Sequence, residues 1–213
     1  MGDPLPEDAA FKCVASTPTV KFTLLSTGSG PRTCAHVCVA IGRRLFIHGG
    51  KSTPDPSARD VKNDFWIYHV DERRWEDITD DFSPFLSQHC AQASRDGARL
   101  FLVGGWNGHH RTFDVYSFLV ETRSWEAWTT SGFPVGAGLS SFAIVPLESA
   151  SALASVASET DELTLVLGRE GGLRTQRRSG NAYLLRSSIC GQSECFCLCR
   201  HSMDSIGTLS KPH

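Results

Sequence analysis

The sequence lacks the features that would place it in a membrane or on a nucleic acid. No window of its 213 residues approaches the roughly 18 uncharged apolar residues of a membrane-spanning helix. Its formal net charge is only −2, so no general electrostatic attraction to nucleic acid or to a membrane surface is expected. With 40% hydrophobic and 21% charged residues, the composition is that of a globular protein with at least one sizeable core.

The N-terminal segment MGDPLPEDAA also lacks a recognisable targeting signal. A secretory signal needs basic residues followed by an apolar stretch, whereas this segment carries acidic residues and two prolines. Myristoylation is disfavoured because Pro6 stands where that motif has serine or threonine. The sequence therefore predicts an intracellular protein, cytoplasmic or nuclear, whose eight cysteines are mostly free thiols.

What the sequence does contain is an internal repeat. Two stretches, RLFIHGG and RLFLVGG, both run from an apolar strand into a pair of glycines, and DFWIYHVDERRW aligns with DVYSFLVETRSW further on. Each unit has four strand-like segments separated by turn signals, which predicts one four-stranded antiparallel sheet per unit. The matched landmarks are Gly49, Gly50, Tyr68 and Trp75 in the first unit, and Gly104, Gly105, Phe118 and Trp125 in the second.

A unit of about 50 residues with four strands resembles the kelch repeat, which forms one blade of a β-propeller. The first unit also has Pro31-Arg32, His36 and Asn63-Asp64 at kelch landmarks, and the second keeps His89 and Asp114. The resemblance implies an all-β fold, a partial kelch β-propeller with two clear four-stranded blades, a degraded third blade, and a ring that does not close. It also implies that the tyrosine and tryptophan of a unit pack between adjacent blades.

The third unit is less regular than the first two. It contains ELTLVLGREGG and GNAYLLR, but no tryptophan follows. The predicted divisions are an N-terminal segment at 1–30, blades at about 31–80, 84–130 and 134–186, and a divergent, disordered tail at 187–213. The stretch TVKFTLLS at 19–26 is a candidate ring-completing strand, and the departure after residue 186 favours a shortened product with an unrelated tail.

The resemblance implies a non-enzymatic protein-interaction module that binds an unidentified protein partner through its blade loops. Two loops supply candidate binding residues, which are His109, His110 and Arg111 in one, and Arg174, Arg177 and Arg178 in the other. The second loop, residues 169–178, has a net charge of +3, whereas residues 71–81 have a net charge of −4. Arginines presented from a loop can bind acidic partners bidentately, but a solvated loop without a partner is the alternative for each stretch.

No catalytic, cofactor or metal site is predicted. A kelch-fold oxidase of the galactose oxidase type would need clustered tyrosine and histidine ligands, whereas Tyr68, Tyr116 and Tyr183 all fall in predicted strands. The cysteines at 195, 197 and 199 lack the spacing of a usual zinc site. An oxidase-like enzyme and a nonfunctional truncated product are the alternatives to a binding module.

Self-association through open blade edges is a further expectation, because an incomplete propeller leaves apolar sheet surface uncovered.

Overall fold

The computed structural model describes residues 23–24, 28–55, 60–131, 133, 137–147, 162–168, 170–172, 182–190 and 193–201. Within these ranges the chain forms strands joined by turns and loops. None of the described residues belongs to a helix that could span a membrane.

The first two repeat units each fold into a four-stranded antiparallel sheet. The first sheet consists of β1 (Val37–Ile41), β2 (Arg44–His48), β3 (Phe65–His69) and β4 (Arg74–Asp77). The second consists of β5 (Cys90–Ala93), β6 (Arg99–Trp106), β7 (Arg111–Leu119) and β8 (Ser124–Trp128). In both sheets the strands are neighbours in chain order, as the sequence predicts for a blade.

The register confirms that the two units are equivalent. Trp75 on β4 lies opposite Tyr68 on β3, and Trp125 on β8 lies opposite Phe118 on β7. The Trp125 ring also lies 5.1 Å from the Phe65 ring of the first sheet, between ring centroids. This tryptophan therefore packs between two sheets, as the resemblance implies.

The remaining described strands form a third sheet and a small ribbon. They are β9 (Thr130–Ser131), β10 (Ala137–Leu139), β11 (Ala143–Leu147), β12 (Glu162–Leu167), β13 (Glu170–Gly172), β14 (Ala182–Cys190) and β15 (Ser193–His201). The third sheet has the order β11-β12-β14-β15-β9, and β10 pairs with β13. This sheet continues past residue 186, because β14 and β15 pair through the segment that the sequence predicts as a disordered tail. The candidate strand at 19–26 lies outside the described residues, apart from residues 23–24.

The sheets are held together by two apolar cores. Between the first and second sheets, the core includes Phe46, Phe65 and Ile67 on one side and Leu100, Leu102 and Phe118 on the other. Between the second and third sheets, it includes Val103, Val115 and Trp128 on one side and Val166, Tyr183 and Leu185 on the other. Burial of these apolar faces is the main stabilising contribution to the stack.

The repeated glycine pairs are explained by backbone conformation and close approach. Gly49 and Gly50 have φ values of 69° and 101°, and Gly104 and Gly105 have 59° and 106°. A Cβ on Gly49 would lie 2.3 Å from the carbonyl oxygen of Leu86, and one on Gly105 would lie 2.7 Å from the Cβ of His89. Only glycine fits both requirements, because it has no Cβ and adopts positive φ without strain.

A second backbone feature is repeated in all three units. Ala35, Gln88 and Ser141 precede β1, β5 and β11, respectively, with φ values of 55°, 55° and 53°. The Gln88 N–H donates to the Ala35 carbonyl at 2.9 Å, and the Ser141 N–H donates to the Gln88 carbonyl at 2.9 Å. The three sheets are therefore joined by one chain of backbone hydrogen bonds, and the third unit keeps this geometry although its sequence pattern has degenerated.

Candidate protein-binding surface

Antiparallel order places the connections of the first two sheets at two opposite ends. The end we call the loop end carries the described residues 49–55, 60–64, 78–89 and 107–110, which follow β2, β4 and β6. The opposite, hairpin end carries the turns at 42–43, 70–73, 94–98 and 120–123. Because the sheets form a packed scaffold, the loop end displays side chains from separate sheets at fixed relative positions.

The turn that contains His109 and His110 is tightly hydrogen-bonded. The Asn107 side-chain oxygen accepts hydrogen bonds from the backbone N–H groups of His109 at 3.0 Å and His110 at 2.9 Å. Gly108 in this turn lies close enough to Val61 that an added Cβ would be 3.8 Å from a Val61 methyl carbon. His109 is exposed and His110 is half-buried, so this turn presents one histidine to solvent next to the loop of the first sheet.

Arg111, predicted as a binding residue, is buried instead. Its Nε donates to the Ser140 hydroxyl at 2.8 Å, and its guanidinium carbon lies 5.7 Å from the centroid of the Trp106 ring. These contacts hold the start of β7 against the segment that leads into the third sheet. The other predicted binding residues, Arg174, Arg177 and Arg178, lie outside the described residues.

Two exposed aromatic residues at the loop end are not predicted by the sequence. Phe82 is 81% exposed and Phe85 is 55% exposed, both in the loop that joins the first and second sheets. Phenylalanine in a β-rich sequence normally indicates core, so nothing in the pattern alone marks these two as surface residues. Their only local signal is the turn-forming stretch DDFSPF.

The loop around Phe82 is held in place by hydrogen bonds, both within the loop and to residues 62 and 63. An Asp80 carboxylate oxygen accepts from the Phe82 N–H at 3.0 Å, and the Asp80 carbonyl accepts from the Ser83 N–H at 3.3 Å. The Ser83 hydroxyl donates to the Asn63 carbonyl at 2.7 Å, and the Leu86 N–H donates to the Lys62 carbonyl at 3.3 Å. The 61–63 segment is thus hydrogen-bonded to the Phe82 loop and lies close to the His109 turn.

In the folded chain, some acidic residues of the stretch 71–81 form ion pairs and others do not. Three of its acids form ion pairs toward the hairpin end or along β4, which are Asp71 with Arg43, Glu72 with Arg74, and Glu76 with Arg123. Hydrogen bonds from Arg43 and Arg123 lower the pKa values of Asp71 and Glu76. Within the described residues, neither Asp80 nor Asp81 forms an ion pair. Of this stretch, Asp80 and Asp81 therefore contribute unpaired negative charge to the loop end.

A buried histidine pair lies between the first and second sheets. His48 Nδ1 is 3.1 Å from His89 Nε2, and His48 Nε2 is 3.3 Å from the Ser83 hydroxyl. Burial, together with the proximity of His89, lowers the pKa of His48, and burial lowers that of His89 to about 3. His36 occupies the repeat position of His89 but is exposed. The pair is thus packed as neutral imidazoles between the two sheets.

The geometry required by a copper oxidase is not seen in the described part of the chain. Tyr68 and Tyr183 are buried in β3 and β14, and Tyr116 is half-buried in β7. No three histidine, cysteine, aspartate or glutamate side chains within the described ranges are grouped closely enough to hold a metal ion. The cysteines at 195, 197 and 199 lie in β15, and their side chains are outside the description.

Consecutive four-stranded antiparallel sheets, packed face to face with the same register and the same glycine-terminated strand, define a β-propeller type of architecture. Residues 11–149 match the KLHDC2/KLHL20/DRC7 Kelch-repeats domain. Over 162 residues, 76% of its length, the chain is 33% identical to Kelch domain-containing protein 9 of Homo sapiens and 32% identical to that of Mus musculus. The chain belongs to the kelch-repeat family, and it spans 42% of the length of these relatives.

Proposed function

We propose that the protein is a non-enzymatic interaction module that binds a protein partner through the loop end of its sheets. The observation that carries this proposal is the proximity of three loops from two sheets, in which Lys62 is hydrogen-bonded to the Phe82 loop and Val61 lies close to Gly108 of the His109 turn. A surface assembled from several loops on a packed scaffold suits recognition of a folded partner or a peptide. The basic stretch with Arg174, Arg177 and Arg178 would add contacts to an acidic segment of the partner.

The experiment compares the same substitution at the two ends of the sheets. Three tagged forms of the protein are used to capture partners, namely the wild type, His109→Glu and Thr122→Glu. A captured protein is then purified and titrated into each of the three forms. His109 is exposed at the loop end and Thr122 is exposed at the hairpin end, so both changes leave the core intact. We expect His109→Glu to weaken binding by about tenfold and Thr122→Glu to leave it unchanged. Loss of binding only in Thr122→Glu would assign the partner to the hairpin end instead.

Self-association through the outer face of the first sheet is part of the same proposal. In the register, Leu45 lies opposite Tyr68 and Ile47 lies opposite Trp66 on this face. The corresponding residues of the second sheet pack against the first sheet, whereas no described sheet packs on the outer face of the first. Cys38 on the same face is exposed and Trp66 is half-buried. Ile47 and Tyr68 on this face are already buried, so the part of the face that we propose a second copy of the chain occupies is the surface of Trp66 and Cys38.

A further inference from the structure

Phe82 and Phe85 form a pair of exposed aromatic side chains on one short loop. Single exposed apolar residues are common on protein surfaces, so exposure alone indicates little. Here, however, two phenylalanines three positions apart are held by the same hydrogen-bonded turn, which also includes the buried Leu86. A rigid loop loses little conformational entropy on binding, so side chains displayed in this way are suited to act as binding anchors.

The loop that follows β8 in the second sheet also carries a phenylalanine, but its ring is packed. Phe133 follows β8 and stacks on Phe113, with ring centroids 3.8 Å apart and an angle of 2° between the ring planes. The residue of the first sheet that aligns with Phe113 is Asn63. The Asn63 side chain donates to the Asp80 carbonyl at 3.4 Å and therefore offers no aromatic surface. The first sheet therefore has no ring at the position of Phe113, and at the same offset of 50 residues Phe133 itself aligns with the buried Ser83.

The surroundings of the two rings are acidic. Asp80 and Asp81 directly precede Phe82, and Asp81 is exposed. Lys62, whose carbonyl accepts a hydrogen bond from this loop, has its ammonium group 2.9 Å from the Asp64 carboxylate and is thus paired with an acid. An apolar centre with charge of one sign at its rim is the arrangement found in specific interfaces, where the charge selects the partner. A polyanion such as a nucleic acid is disfavoured at this rim by charge repulsion.

We infer that Phe82 and Phe85, with Asp80 and Asp81 beside them, are a docking site for a partner peptide segment that presents an apolar side chain flanked by arginine or lysine. This inference rests on the proposed interaction function and deepens it by naming the anchor residues and the chemistry of the bound segment. The rings bury the apolar side chain of the peptide, and the carboxylates contact its flanking cations.

The test uses three labelled synthetic peptides titrated into the full chain by fluorescence anisotropy. The sequences are RRLALRR, RRSASRR and EELALEE, which separate the apolar from the cationic contribution. We expect the first peptide to bind about tenfold more tightly than either of the others, because each of the others lacks one of the two contributions.

Phe82→Ser and Phe85→Ser should each lower the affinity for RRLALRR about tenfold. Asp81→Asn should lower it about threefold and reduce its salt dependence. Val145→Thr, an exposed apolar residue on the third sheet, is the control that should bind as the wild type does.

Two results would overturn the inference. One is equal binding of RRLALRR and RRSASRR, and the other is unchanged binding by both phenylalanine variants. Tighter binding of a single-stranded oligonucleotide than of RRLALRR would reject the peptide class altogether. If a purified physiological partner binds the wild type and the phenylalanine variants equally, but does not bind His109→Glu, the interaction function stands and only this docking site is rejected.

Discussion

His48 and His89 couple the packing of the first two sheets to pH. Both imidazoles are buried between the sheets, where a charged form would lose its hydration without gaining a carboxylate partner. Their folded-state pKa values are lowered, that of His89 to about 3, whereas an unfolded chain has histidine pKa values near ~6.5. As the pH falls below about 6.5, the unfolded state therefore binds protons first.

The expected result is a loss of stability on mild acidification. Stability should be fully present above about pH 6.5 and should fall toward pH 3 by up to about 1.4 kcal/mol per pH unit for each histidine. Urea unfolding at several pH values between neutral and acidic conditions measures this slope. His89→Asn should flatten the slope, while His109→Asn, at an exposed site, should keep it. Equal slopes for the wild type and His89→Asn would show that the buried pair does not control acid unfolding.

The end of β2 depends on glycine for two separable reasons, which a pair of variants can distinguish. Gly49 and Gly42 have similar φ values, 69° and 58°, but only Gly49 faces a close backbone neighbour, and an added Cβ on Gly42 meets no atom within 4 Å. Gly42→Ala should therefore cost only the backbone strain of about 1 kcal/mol. Gly49→Ala should cost roughly 3 kcal/mol, because the Leu86 carbonyl must also move. Urea midpoints measure both, and equal losses would contradict the close-approach explanation.

Elements with a strong side-chain signature could be predicted from the sequence. The glycine pairs and the two tryptophans mark β2, β4, β6 and β8, because each has a physical requirement that few other residues meet. The left-handed positions could not be predicted, since alanine, glutamine and serine occupy them at 35, 88 and 141. There the conformation is imposed by hydrogen bonds between sheets rather than by local preference.

Fewer features of the candidate surface than of the fold could be predicted from the sequence, because several of them depend on contacts between distant segments. The His109 turn follows directly from its polar, glycine-containing sequence. The burial of Arg111 could not be inferred, because its partner Ser140 lies 29 residues away and depends on how the third sheet packs. The exposure of Phe82 and Phe85 could not be inferred either, because phenylalanine in a β-rich sequence normally indicates core.

At the scale of the whole molecule, the repeated register provides matched positions for testing self-association. Trp66 on β3 lies on the outer face of the first sheet, opposite Ile47, and Tyr116 on β7 holds the same position in the second sheet, opposite Leu102. Tyr116 packs against the core between the two sheets, whereas no described sheet covers Trp66. Trp66 is half-buried beside the buried Ile47 and Tyr68, so only its accessible part, together with Cys38, can take part in association.

We expect the 213-residue chain to associate, because an apolar sheet face of this kind favours contact with a second copy. Size-exclusion chromatography with light scattering should give a mass above that of the monomer. Trp66→Glu should shift the mass toward the monomer while the melt stays cooperative, since a charge on the outer face opposes association without disturbing the core. Tyr116→Glu should instead lower the melting temperature, because it buries a charge between the sheets. A sharp wild-type monomer peak with a cooperative melt, unchanged in Trp66→Glu, would show that this face needs no second copy.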